Sequence, residues 1–258
     1  MNNTDKLLEV MSQLRDKENG CEWDKEQTFK SIAPHTIEEA YEVVDAINRS
    51  NIPDLEEELG DLLLQVVFLS QIASEDNLFN FNDVVQTITR KLIRRHPYVF
   101  SEKRDHSSEE QMDQWEEIKQ EERELKKQSG ILDGIAINLP ALKRSQKIQK
   151  RAAKVGFDWP DSKGVFKKIK EEIRELEEAV ESKDQESTKE EVGDLLMIIT
   201  NLAHRLDVDS EEALKGSNEK FINRFSYIES KLNDSDKRFE DSSLALLDEL
   251  WDESKKLG

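Results

Sequence analysis

The chain is poor in the residues that cross-link or break a fold. It has one cysteine, Cys21, in 258 residues. An intramolecular disulfide framework is thereby excluded, and a reducing cytoplasm is the expected location. Proline (5) and glycine (9) are scarce, and strand-like alternation of apolar and polar residues is hard to find. No apolar run approaches the roughly 20 residues that a membrane-spanning helix requires. The N-terminal MNNTDKLLEV has no basic segment followed by an apolar one, so no secretory signal is expected. Positive charge is in deficit: 38 Lys and Arg against 57 Asp and Glu leave a formal net charge of -19. Such a chain repels phosphodiester backbones, which argues against a duplex DNA or RNA partner.

What is present is Glu, Lys and Leu, with 37% charged and 36% apolar residues. That balance predicts an all-α fold with a core of moderate size. The chain also repeats itself. EELGDLLLQVVFL, from Glu57, returns as EEVGDLLMIITNL, from Glu190. Glu38, Glu39, Glu42, Glu58, Gly60 and Asp61 each recur 133 residues later as Glu171, Glu172, Glu175, Glu191, Gly193 and Asp194. Tryptophans keep a similar rhythm: Trp23 to Trp115 and Trp159 to Trp251 are both 92 residues. The period is far longer than a solenoid repeat, so each copy reads as a domain of its own. The expected domains are 1–128 and 129–258, joined near KKQSGILDGIAINLPAL, residues 126–142, where glycine, serine and proline gather.

Each copy reads as a small helical bundle. Thr36 followed by Glu39 has capping-box spacing and predicts a helix start. Asp54 with Glu57 and Ser187 with Glu190 predict the starts of the second helices. Phe166, Ile169, Ile173, Leu176 and Val180 form an apolar stripe for lengthwise packing. Short breaks between the two helices of each copy make them antiparallel. Third helices are expected over NDVVQTITRKLIRRHP and NEKFINRFSYIESKL.

The acids are the chemistry-bearing feature. Residues three or four apart share a helix face, so Glu172 and Glu175 point one way, as do Glu191 and Asp194 on the facing helix. Two carboxylates ~5 Å apart repel by roughly 3 kcal/mol at an effective dielectric of ~20. Four together require a cation, and Mg²⁺, which prefers oxygen ligands and keeps waters for a phosphate to replace, fits best; Mn²⁺ is the expected substitute. Gly193, beside Asp194, is expected to permit a close approach by a neighbouring helix or ligand. A lone E-E-x-x-E is weak in so acidic a chain, and one at Glu177, Glu178 and Glu181 has no partner segment. The other two are each followed, 20 residues after the first Glu, by E-x-G-D-L-L. None of the four histidines has a Glu three residues before it, which excludes the di-iron bundle pattern. Zinc, P-loop and serine-elbow patterns are absent too. RELEE at Arg174 matches only a fragment of the Nudix box.

With EExxE, a gap and ExGD in each half, the chain resembles the all-α nucleoside triphosphate pyrophosphohydrolases. GCEWDKEQTF near the start and KRSQKIQKRAAKVGFDW opening the second half resemble the tandem MazG family over almost the whole chain. One departure is Glu22, where that family usually has proline before the first tryptophan. The resemblance implies a Mg²⁺-dependent enzyme that splits a nucleoside triphosphate into monophosphate and pyrophosphate. It also implies a homodimer, because four-helix cores in this superfamily are often completed between subunits.

The expected catalytic residues are Glu171, Glu172, Glu175, Glu191 and Asp194, with Glu171 orienting or deprotonating the attacking water. The expected metal ligands are Glu172, Glu175, Glu191 and Asp194, and in the first copy Glu39, Glu42, Glu58 and Asp61. Substrate contacts are expected from Lys168, Lys170, Lys189, Glu190, Asp194, Lys220, Arg224 and Trp251. Lys220 and Arg224 share a face and suit phosphate oxygens; Lys91 and Arg95 are their counterparts. Trp251, with Trp115 as its equivalent, offers a flat face to a base. Lys168, Lys170 and Lys189 stand where the first copy has His35, Ile37 and Glu56, so a triphosphate should prefer the second half. The first half is then a second catalyst, a weakened relic or a regulatory and dimerising copy. Two rival readings are a helical interaction protein with acidic stripes and a nucleotide or alarmone sensor without turnover.

Overall fold

A computed structural model describes residues 2–100, 107, 118, 122 and 130–256. The chain divides into two compact units, Met1–Lys119 and Gln120–Gly258. No strand occurs among the described residues. Trp115 and the first part of the 126–142 joint lie outside the described residues.

In the first unit α1 (Asn3–Leu14), a short α2 (Glu22–Glu26), α3 (Phe29–Asn48), α4 (Ile52–Glu75), α5 (Phe81–Arg95) and α6 (Pro97–Phe100) follow one another. The three-residue break after α3 turns α4 back along it. Met11, Ile32, Val67, Phe68 and Ile72 from α1, α3 and α4 form the core, flanked by Leu7, Leu8, Leu64, Leu69 and Phe81. Arg15, just past α1, is 8% exposed. It grips Glu75 through Nε at 2.8 Å and Nη2 at 2.7 Å, and donates from Nη1 to the carbonyls of Asp24 and Gln27. One buried guanidinium thus ties the α2 segment, where Trp23 sits, to the end of α4.

The second unit contains α7 (Ala141–Lys154), α8 (Ser162–Ser182), α9 (Gln185–Arg205), α10 (Ser210–Asp234), a 3₁₀ turn (Phe239–Asp241) and α11 (Leu244–Ser254). Helices α8 and α9 repeat α3 and α4, with left-handed Lys183 (φ 59°) ending α8 as Ser50 (φ 53°) follows α3. Asn77 (φ 56°) and Asp207 (φ 55°) likewise mark the turns after α4 and α9. Across that second turn the register changes: α5 begins at Phe81 and α10 at Ser210, an offset of 129. Lys91 and Arg95 match Lys220 and Arg224 at that offset. The cores are not alike. Val67, Phe68 and Ile72 are replaced at offset 133 by Thr200, Asn201 and Arg205. Helix α7 accordingly meets α9 through hydrogen bonds: the Ser145 and Thr200 hydroxyls are 2.6 Å apart, and Gln149 Nε2 donates to the Met197 carbonyl at 2.6 Å. Arg205 pairs with Asp158 at 2.5 Å and donates to the Trp159 carbonyl at 2.7 Å, holding the tryptophan segment as Arg15 does in the first unit.

The helix starts differ from the sequence expectation. Helix α3 is capped by Thr28, whose hydroxyl accepts from the Ser31 N–H; Thr36 lies inside the helix and donates to the Ile32 carbonyl. Pro34, the sixth residue of the helix, lies past the first turn and offers no N–H to the carbonyl four residues before it. Helix α4 is capped by Asn51 and α9 by Asp184, each three residues before the expected start. In each case the nearer Asn, Asp or Thr takes the first free N–H groups. The stripe on α8 holds at Ile169 and Leu176 and is shifted by one residue at its other three positions. Its buried line is Val165, Ile169, Glu172, Leu176 and Ala179, while Phe166, Ile173 and Val180 are exposed. In α3 the same line is Ile32, Thr36, Glu39, Val43 and Ala46. Each line carries a glutamate at its centre.

Asp184 accepts hydrogen bonds from the Glu186 and Ser187 N–H groups. Asp184→Ala should destabilise the second unit by about 1 kcal/mol, read as a lower denaturant midpoint in helical circular dichroism.

Candidate active site: two carboxylate clusters

The buried lines place Glu39 and Glu172 between paired helices, where a leucine would be expected. Glu172 is 5% exposed. In the second unit single oxygens of Glu172, Glu175 and Glu191 lie within 4.8 Å of one another. In the first unit Glu39, Glu58 and Asp61 do the same. The fourth acid of each set is at the margin. Asp194 is exposed and adds its charge to the field at Glu191. Glu42 is exposed and close enough to Glu39 to share a hydrogen bond. The structure therefore brings together six of the eight predicted acids, as two sets of three, with Glu42 and Asp194 beside them.

The crowding shows in protonation. Burial, then the charges of Asp61 and Glu42, hold Glu39 above the ordinary carboxylate range. Burial and then Glu42 do the same to Glu58. Glu191 is raised by desolvation and then by Glu175, Glu172 and Asp194. Glu171 is lowered, because it accepts a hydrogen bond from Lys168. Lys168 is held strongly in its charged form by Glu171 and Glu172, at 2.8 and 2.7 Å.

Lys170, Lys189 and Glu190 are exposed on α8 and α9. Lys220 and Arg224 lie on α10 and form no ion pair with the acids; Arg224 instead stands over the Trp251 ring, 5.6 Å from its centroid. Trp251 is half-buried, with Phe221 at 5.2 Å and a tilt of 54°. Phe225 continues the aromatic row, stacked on Phe221 at 6.0 Å and on Phe239 at 4.9 Å. A Cβ added at Gly60 or Gly193 would meet nothing within 4 Å. The expected close approach at Gly193 is therefore not made by any of the described residues. Sequence reasoning missed Gln65, which is buried and donates from Nε2 to Glu39 at 3.2 Å. The available signal was a lone amide inside the apolar run from Leu62 to Phe68.

The family model for the MazG nucleotide pyrophosphohydrolase domain matches residues 27–100 and 161–228. Those segments hold α3–α4 and α8–α9, each with its complete set of acids. The chain belongs to the MazG nucleotide pyrophosphohydrolases. It is 48% identical over 258 residues to a nucleoside triphosphate pyrophosphohydrolase of Escherichia coli K12, covering 99% of this chain and 98% of that one. Identity to the Thermotoga maritima nucleoside triphosphate pyrophosphohydrolase/pyrophosphatase MazG is 45%, over 97% and 95% of the two chains. An uncharacterized protein of Bacillus subtilis, YabN, is 40% identical over 92% of this chain and 49% of its own length.

Because Glu191 is raised in the fold, the folded state keeps a proton that the unfolded chain releases. Stability from this source is present at low pH and lost as pH rises through the raised value. Glu191→Gln removes the repulsion. In the metal-free protein it should raise the thermal midpoint near neutral pH, with the gain vanishing at about pH 4, below the ordinary glutamate value. Melting curves across that range check the sign.

Proposed function

We propose that the chain hydrolyses nucleoside triphosphates to monophosphate and pyrophosphate by attack of water at the α-phosphorus, with Mg²⁺ as the metal and Mn²⁺ as a substitute. The observation that carries this reading is the pair of carboxylate clusters, each inside a segment matched by the family model. Their donors are hard oxygens crowded together, and Glu39, Glu58 and Glu191 are raised by desolvation and then by their neighbours' charge, which fits a hard divalent cation. Glu172, Glu175, Glu191 and Asp194 would hold it in the second unit; Glu39, Glu42, Glu58 and Asp61 would hold it in the first. When bound, the metal supplies neutralisation of charge on the phosphates and a lowered pKa for attacking water.

The remaining roles belong to the chain. Lys168, Lys170, Lys189, Lys220 and Arg224 are the cations for phosphate oxygens; Lys168, Lys170 and Lys189, replaced in the first unit by His35, Ile37 and Glu56, make the second unit the favoured catalytic half. Glu190 borders the same helix face, and Trp251 offers a surface for the base. Glu171, kept ionised by Lys168, is suited to orienting water more than to taking its proton. In the reaction a water oxygen bonds to the α-phosphorus while the bond to the bridging oxygen breaks, and pyrophosphate leaves with that oxygen. Placement and charge do most of this work.

A homodimer fits the surface. Phe166, Ile173 and Val180 on α8 and Val192, Leu196 and Ile199 on α9 are exposed apolar residues, and Gly193 faces open space beside them. A second copy would cover this face. The two MazG-like domains are placed at 1–128 and 129–258. A cytoplasmic enzyme of nucleotides, with no nucleic acid partner, fits the strong negative charge and the single exposed cysteine. Among the described residues no helix is long and apolar enough to cross a membrane.

Product chromatography after incubation with ATP and Mg²⁺ should yield AMP and pyrophosphate. Orthophosphate with ADP would overturn the assignment, and binding with no product would favour a sensor. Glu175→Ala should lower kcat by about 100-fold or more, as loss of a preorganised electrostatic group does, with helix content unchanged. Wild-type turnover in Glu175→Ala together with loss in Glu42→Ala would move catalysis to the first unit. Ile173→Glu should shift the sedimentation coefficient from dimer to monomer.

A further inference from the structure

The two clusters stand on corresponding helices, yet the central glutamate of each, half-buried Glu39 and buried Glu172, is held by a different group. In the second unit Lys168 Nζ lies 2.7 Å from Glu172 and 2.8 Å from Glu171. In the first unit that position is His35, whose Nδ1 stands 3.5 Å from Glu38 and forms no ion pair with Glu39. Glu39 is held from the facing helix, by the Gln65 amide at 3.2 Å. At Gln65's place α9 carries Ile198, buried and without a polar atom in its side chain. Two positions have therefore changed together. One copy combines a lysine with an isoleucine, the other a histidine with a glutamine.

This exchange has a consequence for cations. An ammonium group on Glu172 occupies lone pairs that a divalent ion also needs, and it already offsets part of the cluster's charge. A metal arriving alone must push Lys168 into water. A metal arriving with a triphosphate releases the same ammonium next to phosphate oxygens, where it finds a new partner. The amide of Gln65 carries no net charge, so it leaves the first cluster's electrostatic demand for a cation in place.

We propose that Lys168 is a built-in stand-in for the divalent cation, coupling metal and nucleotide binding in the second unit, while the first unit accepts its metal without nucleotide. This rests on the metal-dependent reading given above. By linkage, the factor by which nucleotide strengthens metal binding at the second cluster equals the factor by which metal strengthens nucleotide binding there.

The test measures Mn²⁺ bound to the full chain from the loss of its free electron-paramagnetic signal, with and without a non-hydrolysable α,β-methylene triphosphate. Asp61→Asn with Glu58→Gln silences the first cluster and isolates the second. In that background Lys168→Met should raise nucleotide-free Mn²⁺ affinity about tenfold, the scale of one opposite charge within contact distance, and shrink the enhancement given by the analogue. Lys168→Arg, which keeps the charge, should behave as the parent does. Conversely, with the second cluster silenced by Glu191→Gln and Asp194→Asn, His35→Lys combined with Gln65→Ile should lower nucleotide-free affinity about tenfold at the first. Unchanged or weaker nucleotide-free binding in Lys168→Met, with Mn²⁺ still bound in the presence of the analogue, overturns the stand-in role alone. No Mn²⁺ bound by the wild-type chain under either condition overturns both the stand-in role and the metal-dependent reading.

Discussion

The fold depends on a repulsion that it relieves only in part. Each main helix pair buries a line of residues, and each line has a glutamate at its middle. Glu172 sits between Ile169 and Leu176, and Glu39 between Thr36 and Val43. A carboxylate in such a place is unfavourable unless paired; further carboxylates stand beside each, and Lys168 on Glu172 and Gln65 on Glu39 offset them only in part. Glu39, Glu58 and Glu191 are accordingly held above the ordinary carboxylate range, by desolvation first and by neighbouring charge second. Stability is given up at one place along each helix pair, and a demand for positive charge is created there. Function follows from that demand.

The surrounding structure keeps the conflict local. Caps at Thr28, Asn51, Asp161 and Asp184 satisfy the first N–H groups of the four helices that carry the acids. Arg15 and Arg205 fasten the tryptophan segments that precede α3 and α8. Away from the acids the first unit packs Met11, Val67, Phe68 and Ile72 as an ordinary apolar core. The second unit meets the same geometrical need with Ser145, Gln149 and Thr200. A duplicated backbone has thus kept its shape while one copy exchanged apolar contacts for hydrogen bonds. The exchange is not fully satisfied: Asn201 Oδ1 and Arg205 Nε are buried with no hydrogen-bond partner among the described residues.

Much of the site was legible from spacing. The 133-residue recurrence of six positions identified the acids, and helix periodicity put Glu172 with Glu175 and Glu191 with Asp194 on shared faces. The basic pair Lys220 and Arg224 was matched to Lys91 and Arg95 from their i,i+4 spacing, and the offset of 129 between α5 and α10 agrees with that match. Less legible was anything set by local competition. Capping motifs at Thr36, Asp54 and Ser187 are real patterns, but an earlier Thr, Asn or Asp took the free N–H groups first. The apolar stripe on α8 was read correctly at Ile169 and Leu176 but one residue late at Phe166, Ile173 and Val180, because a glutamate in a buried line is not counted by an apolar pattern. Gln65 escaped for the complementary reason: an amide in an apolar run signals nothing until its partner is known.

The sequence by itself determined that the chain is helical, duplicated and strongly acidic, and which carboxylates recur. Those properties are written in composition and period, which need no third dimension. Only the tertiary structure decided which oxygen faces which. Whether Glu172 would meet Lys168, and Glu39 meet Gln65, depends on rotation of one helix against its neighbour by a fraction of a turn. That angle is fixed by the whole packed interface, and no short stretch of residues contains it.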